Sequence, residues 1–165
     1  MANRTAGLGA TKGFKFAYTE HGGPPAMDQV PLVSGTYYPG QVLRISGTTG
    51  SATKAAAAGT SLAYVNAAYT TTADSGGLHP AYRLDDFNVF KAVMIASSTP
   101  QPYVGDQTDL AVSTNDFSLQ GTASTNVFQI VGFPGEESTA AHGTCSYYVK
   151  AARSVWASTK SDVTT

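Results

Sequence analysis

Residues 37–46 read YYPGQVLRIS, and this stretch decides the class of fold. In Tyr38-Pro39-Gly40 the proline has its φ preset and the glycine is free to take φ > 0, which suits the two central positions of a type II turn. Val42, Leu43 and Ile45 follow directly, with Arg44 the one charge among them. A short run of branched apolar residues behind such a turn predicts a strand, its arginine on the solvated side. Gly47, Thr48, Thr49 and Gly50 supply the second boundary.

Working outward, the same grammar recurs. Phe14, Phe16 and Tyr18 alternate with Lys15 and Ala17, the period of two of a half-buried strand with those three rings on one side. Glu20-His21-Gly22-Gly23-Pro24-Pro25 ends it, since neither regular structure continues through Gly and Pro together. Val30, Leu32 and Val33 straddle Pro31, which predicts an edge strand or an extended connection. In Ala52–Thr72 four consecutive alanines favour helix, but Gly59 cuts that run near one turn, far below the ~12 residues an isolated helix needs. Two strands joined near Gly59 are expected, with helix from Lys54 to Ala58 as the alternative. Thr70 to Tyr82 reads as a loop.

Phe87 to Ala96, FNVFKAVMIA, predicts a strand with Phe87, Val89, Val93 and Ile95 on one side. Its helical alternative would align Phe87, Phe90 and Met94, with Asp85 and Asp86 at the N-terminus. Leu110–Val112 and Val127–Val131 read as short strands, Ser97–Asp109 as a connection and Ser118–Asn126 as a polar loop. Ser146 to Trp156 alternates Tyr147, Val149, Ala151 and Val155 against Tyr148, Lys150, Ala152 and Trp156, which predicts one long strand. Short strands between frequent Gly and Pro turns predict an all-β domain over residues 14–165, a small sandwich or partly closed barrel. Residues 1–13, with Gly7, Gly9 and Gly13 among small residues, read as a flexible N-terminal arm.

Only 13% of residues are charged and the net charge is -1, against about 25% charged in an ordinary soluble domain. The ten Lys and Arg form no cluster, which argues against nucleic acid as a partner. The single cysteine, Cys145, excludes an intrachain disulfide and a cysteine-rich zinc site. No apolar run approaches the ~20 residues of a membrane helix, and the opening MANRTAGLGATKG lacks the apolar centre of a secretory signal, so synthesis in a cytoplasm is expected.

Candidate chemistry is sparse. His21, His79 and His142 stand far apart beside Gly or Pro and read as loop residues, and no cofactor or metal is expected. Asp106, Asp109 and Asp116 lack the central Gly and closing Glu of a calcium loop and read as solvated turn acids. Asp85 and Asp86, adjacent in a strand, would diverge rather than work as an acid and base pair. His142 near Cys145 has no element to orient one on the other. Asn3-Arg4-Thr5 matches a glycosylation sequon by its letters alone. The remaining signal is nine tyrosines and one tryptophan in a sparingly charged chain, residues that interfaces favour.

The glycine-rich arm, YYPGQVLRIS, KAAAAGTSLAYV (residues 54–65), VFQIVGF (127–133) and YYVKAARSVW (147–156) together resemble the decoration, or cement, proteins on the heads of tailed double-stranded DNA phages. That resemblance implies a small β-tulip domain, homotrimers at threefold and quasi-threefold positions on the outer surface of the virion, and an arm lying along capsid subunits. The implied function is structural and non-enzymatic: bridging major capsid protein subunits after expansion and stabilising the shell. It assigns capsid contact to Gly7, Leu8, Phe14, Phe16 and Tyr18, and self-association to Tyr37, Tyr38, Tyr147, Tyr148 and Trp156. An adhesin or carbohydrate-binding β module on a virion or cell surface would share the composition, and a small hydrolase using His142 is the third expectation.

Overall fold

Val42 and Leu43, neighbours in YYPGQVLRIS, are both fully buried, but in two different apolar clusters on opposite sides of one strand. That division organises the molecule. The structure, a computed structural model, describes residues 13–46, 50–57, 59–72, 77–94, 104–121, 125–134 and 146–157.

The described elements are β1 (Lys15–Thr19), β2 (Met27–Leu32), β3 (Gly35–Tyr37), β4 (Val42–Ile45), β5 (Ala52–Lys54), β6 (Leu62–Asn66), β7 (Thr70–Thr72), β8 (Gly77–Arg83), β9 (Asn88–Val93), β10 (Gln107–Ser113), β11 (Asp116–Gln120), β12 (Phe128–Gly132) and β13 (Ser146–Ala151). The fold is all-β. Strands β2-β5-β4-β6-β8 close a five-stranded barrel, β1-β9-β13-β12-β10-β11 form an open six-stranded sheet, and β3 pairs with β7 in a separate ribbon. Inside the barrel lie Val30, Leu32, Leu43, Ala52, Ala63, Tyr64 and Ala81, joined by Tyr37. The larger core lies between barrel and sheet: Val42, Leu62, Val65 and Leu84 from the barrel side meet Phe90, Leu110, Phe117, Phe128, Ile130, Tyr147 and Val149. A strand that alternates sides can feed both only if both faces carry apolar residues, as Val42 and Leu43 provide in β4 and as β6, buried at every position, provides along its length.

The predicted turn forms. Gly40 has φ 88°, and Gln41 N–H donates to Tyr38 O at 3.3 Å, the closing bond of a type II turn. Arg44 is exposed, as its place in the run predicts. Opposite it, β6 carries a bulge: Leu43 pairs with Tyr64 and Arg44 with Leu62, leaving Ala63 extra. Ala63 sends its carbonyl to Leu84 N–H at 2.9 Å, so the bulge ties β6 to the end of β8.

The alanine-rich segment gives β5 and β6, with Gly59 N–H bonded to Ala56 O at 3.0 Å in the intervening turn. Ala55–Ala57 are not helical, and Ala58 lies outside the described residues. The Phe87–Ala96 strand is present as β9, but its core-facing side is Phe90, Ala92 and Met94; Phe87 is exposed and Ile95 lies outside the described residues. Asp85 explains the difference, because its carboxylate caps the N–H groups of Phe87 and Asn88 and holds Phe87 in a turn before the strand begins.

Several expectations are corrected. Residues 70–82 are not a loop: β7 and β8 occupy the described part, and β8 buries only Ala81 deeply, so it leaves no period-two signal. Pro31 pairs with Leu78 inside the barrel wall, where β2 reaches β5 only at Leu32, so the flank beside the proline stays open. The polar loop from Ser118 begins as β11, the return of a hairpin whose turn holds Thr114 at φ 53°, without the Gly that would announce it. The long final strand stops at Ala151: the N–H groups of Ala152 and Arg153 both bond to Val127 O, which bends the chain out of the sheet.

Candidate interaction surface

The arm is rooted on the turn. Phe14 N–H donates to Gly40 O at 2.9 Å, and the Phe14 ring, 2% exposed, packs 4.8 Å from Phe128. A Cβ on Gly40 would stand 3.1 Å from both Phe14 N and O, so the approach needs glycine there as much as the positive φ does. Gly7 and Leu8 lie outside the described residues. Phe14 belongs to the core, and its ring offers no area to a partner.

β1 is an edge of the six-stranded sheet, and it is bulged. Phe16 pairs with Phe90 and Tyr18 with Val89, leaving Ala17 extra. The bulge separates two rings that strict alternation would place together. Phe16 turns inward, stacked 5.0 Å from Tyr82 and edge-on to Phe90 at 6.2 Å. Tyr18 meets Tyr148 edge to face at 5.7 Å on the outer side. Tyr148 faces out because its neighbours Tyr147 and Val149 are buried in the shared core. Lys150, two residues on, bridges both oxygens of Glu20 at 2.7 and 2.9 Å. The outer face of this sheet edge therefore carries two tyrosines beside an ion pair. One of them was assigned to capsid contact and the other to self-association, yet they touch.

Tyr37 and Tyr147 are 2% and 1% exposed, so neither ring is offered to a second copy. Tyr37 donates its hydroxyl to Val33 O at 2.7 Å, and burial pushes its pKa above the usual phenol value. Tyr147 packs edge-on to Phe133. Tyr38 is half-buried against the exposed Tyr69, 5.4 Å away. Trp156 lies on a strap after β13 that reaches the barrel: Val155 N–H bonds to Leu62 O, and the Ser154 hydroxyl to Leu84 O. Its ring meets the Arg83 guanidinium at 4.7 Å and Tyr64 at 6.0 Å. Arg83 in turn forks onto Asp28 at 2.6 and 2.9 Å, which lowers the Asp28 pKa, while burial and then the Asp28 charge raise that of Tyr64. Trp156 thus fastens sheet to barrel before it offers anything outward.

Gln41 and Asn66 carry roles that sequence reasoning missed. Both are buried; Gln41 Oε1 accepts from Tyr38 N–H at 3.0 Å, and Asn66 Nδ2 donates to Tyr38 O at 2.9 Å and Ala68 O at 2.7 Å. They brace the turn from within, and the only sequence signal was an amide beside each apolar run.

Two chemical readings change. His79 lies in β8 opposite Val30 rather than in a loop, whereas His21 is a loop residue that accepts from Gly23 N–H. Asp109 is 2% exposed, not solvated, and accepts from Thr125 N–H, the Thr125 hydroxyl and Asn126 N–H. His142 and Cys145 lie outside the described residues. Among the described residues no three His, Cys, Asp or Glu side chains gather as a metal site would require. Compared with family models, curated proteins and solved structures, the chain finds no match in any of the three.

Proposed function

We propose that the chain is a non-enzymatic structural protein that binds the outside of a tailed-phage capsid and stabilises the shell by bridging major capsid protein subunits. The observation that carries this reading is the pinning of Phe14 to the Gly40 turn: the backbone hydrogen bond fixes the point at which the residues before Gly13 join the domain. Tyr18, four residues after Phe14, and Tyr148 of β13, which its ring meets, present an aromatic surface that reaches water. An arm and a face on one domain engage two neighbouring subunits at once, so the second contact forms at high effective concentration. Tyrosine suits such a face because its ring supplies area at small rotamer cost while its hydroxyl keeps it soluble.

Tyr38, with Tyr69 beside it, is the remaining surface for contact between copies in a trimer. The test is mechanical. Expanded heads of the phage that encodes the chain are heated with and without the purified protein, and DNA release is followed by dye fluorescence. Release shifted to higher temperature by the protein supports the reading; an unchanged release profile at saturating protein contradicts it.

A further inference from the structure

Where the strap crosses from sheet to barrel it leaves a hollow of about 400 Å³, lined by Thr60, Ser61, Thr125, Val127, Arg153 and Val155 together with Ser154. We infer that this hollow binds a carboxylate-bearing sugar, a hexuronate or a saccharide residue of the same chemistry. The inference does not depend on capsid binding.

The wall is built from three separate parts of the fold: the β5–β6 connection, the residues before β12, and the strap. Small-molecule sites favour such junctions, at roughly 300–1,000 Å³. Among the described lining residues Arg153 alone is charged; it is exposed, and among the described residues its guanidinium makes no hydrogen bond or ion pair. A planar fork of donors with no carboxylate among the described lining residues selects an anionic group with two coplanar oxygens. The Thr60 and Ser61 hydroxyls, each able to donate and accept, suit a polyhydroxylated body attached to that group, while Val127 and Val155 suit the C–H face of a sugar ring.

Two further observations mark this wall as unusual. Ser61 and Asn126 have φ of 59° and 55°, two of the three non-glycine residues with positive φ among those described. Such conformations are strained and persist where the surroundings impose them, often at ligand sites. Asn126, between two lining residues, also buries its side-chain oxygen without a partner. The three donors held by Asp109 fix Thr125 and Asn126, so the wall is ordered before any ligand arrives.

The experiment is an amide NMR titration of the full chain with D-galacturonate and D-glucuronate, and with galactose, glucose, acetate and inorganic phosphate as separate arms. The expected result is uronate-induced shifts centred on residues 60–61, 125–127 and 153–155. Affinity should fall at least about tenfold for the neutral sugars and for R153A, since each loses the charge-assisted hydrogen bonds between guanidinium and carboxylate, and Arg153→Lys should recover part of it. R153A should retain the wild-type spectrum elsewhere because the residue is exposed. The inference is overturned by no shifts with either uronate, by shifts centred elsewhere, by equal binding of the neutral sugars, or by acetate or phosphate binding as tightly as the uronates.

Discussion

The backbone N–H of Phe14 donates to the carbonyl of Gly40 at 2.9 Å, so the segment leading from the amino-terminal residues is fastened to the turn that launches β4. Gly40→Ala tests that fastening. The new Cβ would meet Phe14 N and O at 3.1 Å and Gly13 Cα at 3.2 Å, at a φ of 88° that L side chains disfavour. Thermal or urea unfolding should show a loss of about 1–3 kcal/mol, and loss within error of zero would mean that the turn is not strained against Phe14.

The two-sided burial of β4 predicts that adjacent residues both matter. Val42→Ala should cost about 1–3 kcal/mol and Leu43→Ala about 2–5 kcal/mol, through cavities in the shared core and the barrel respectively. Arg44→Ala, exposed on the same strand, should stay within about 0.5 kcal/mol. Urea midpoints of the three variants decide it; a near-neutral Val42→Ala or Leu43→Ala would leave β4 with one buried face.

The Arg83 fork holds the Asp28 carboxyl below its ordinary value of 3.8. A depressed folded pKa means that its stabilisation is fully present above the unfolded value and is lost as pH falls through the folded one. Melting temperature should therefore decline below about pH 4 more steeply in the wild type than in Asp28→Asn, the curves converging in acid. The partly exposed pair limits the neutral-pH difference to about 1 kcal/mol. Parallel curves throughout would remove Asp28 from the acid response.

The outer pair predicts a separation of binding from stability. Replacing Tyr18 and Tyr148 together by alanine should leave the fold intact, with a loss of about 1–2 kcal/mol, because the rings meet each other on the surface rather than the core. Binding to expanded heads, read by co-sedimentation, should fall at least about tenfold if the two rings act as buried anchors. Undiminished binding by a folded double variant would exclude this face.

The all-β class was legible because YYPGQVLRIS places Pro and Gly where a type II turn requires them, ahead of a branched apolar run. The two-core arrangement was not, since a strand buried on both faces shows no alternation and nothing local distinguishes Val42's core from Leu43's. Bulges hid the rest. Ala17 and Ala63 each add one residue to a strand, and the extra residue sends Phe16 and Tyr18 to different faces of the sheet. β8 and β11 escaped notice for a related reason: one buries too little to show a period, and the other follows a turn without glycine. Tyr37 and Tyr147 illustrate the limit for the site, because a tyrosine's letter does not say whether its hydroxyl meets water or, as in Tyr37, a carbonyl inside the fold.

The measurement that bears most directly on the account is the number of copies bound per expanded head at saturation, for the full chain and for a chain lacking residues 1–12. The account predicts saturable, stoichiometric occupancy by the full chain and at least about tenfold weaker binding by the shortened one, whose folded domain keeps Phe14 on Gly40 but has lost one of two linked contacts. Equal occupancy and affinity for the two chains, or no saturable binding by the full chain, would contradict it.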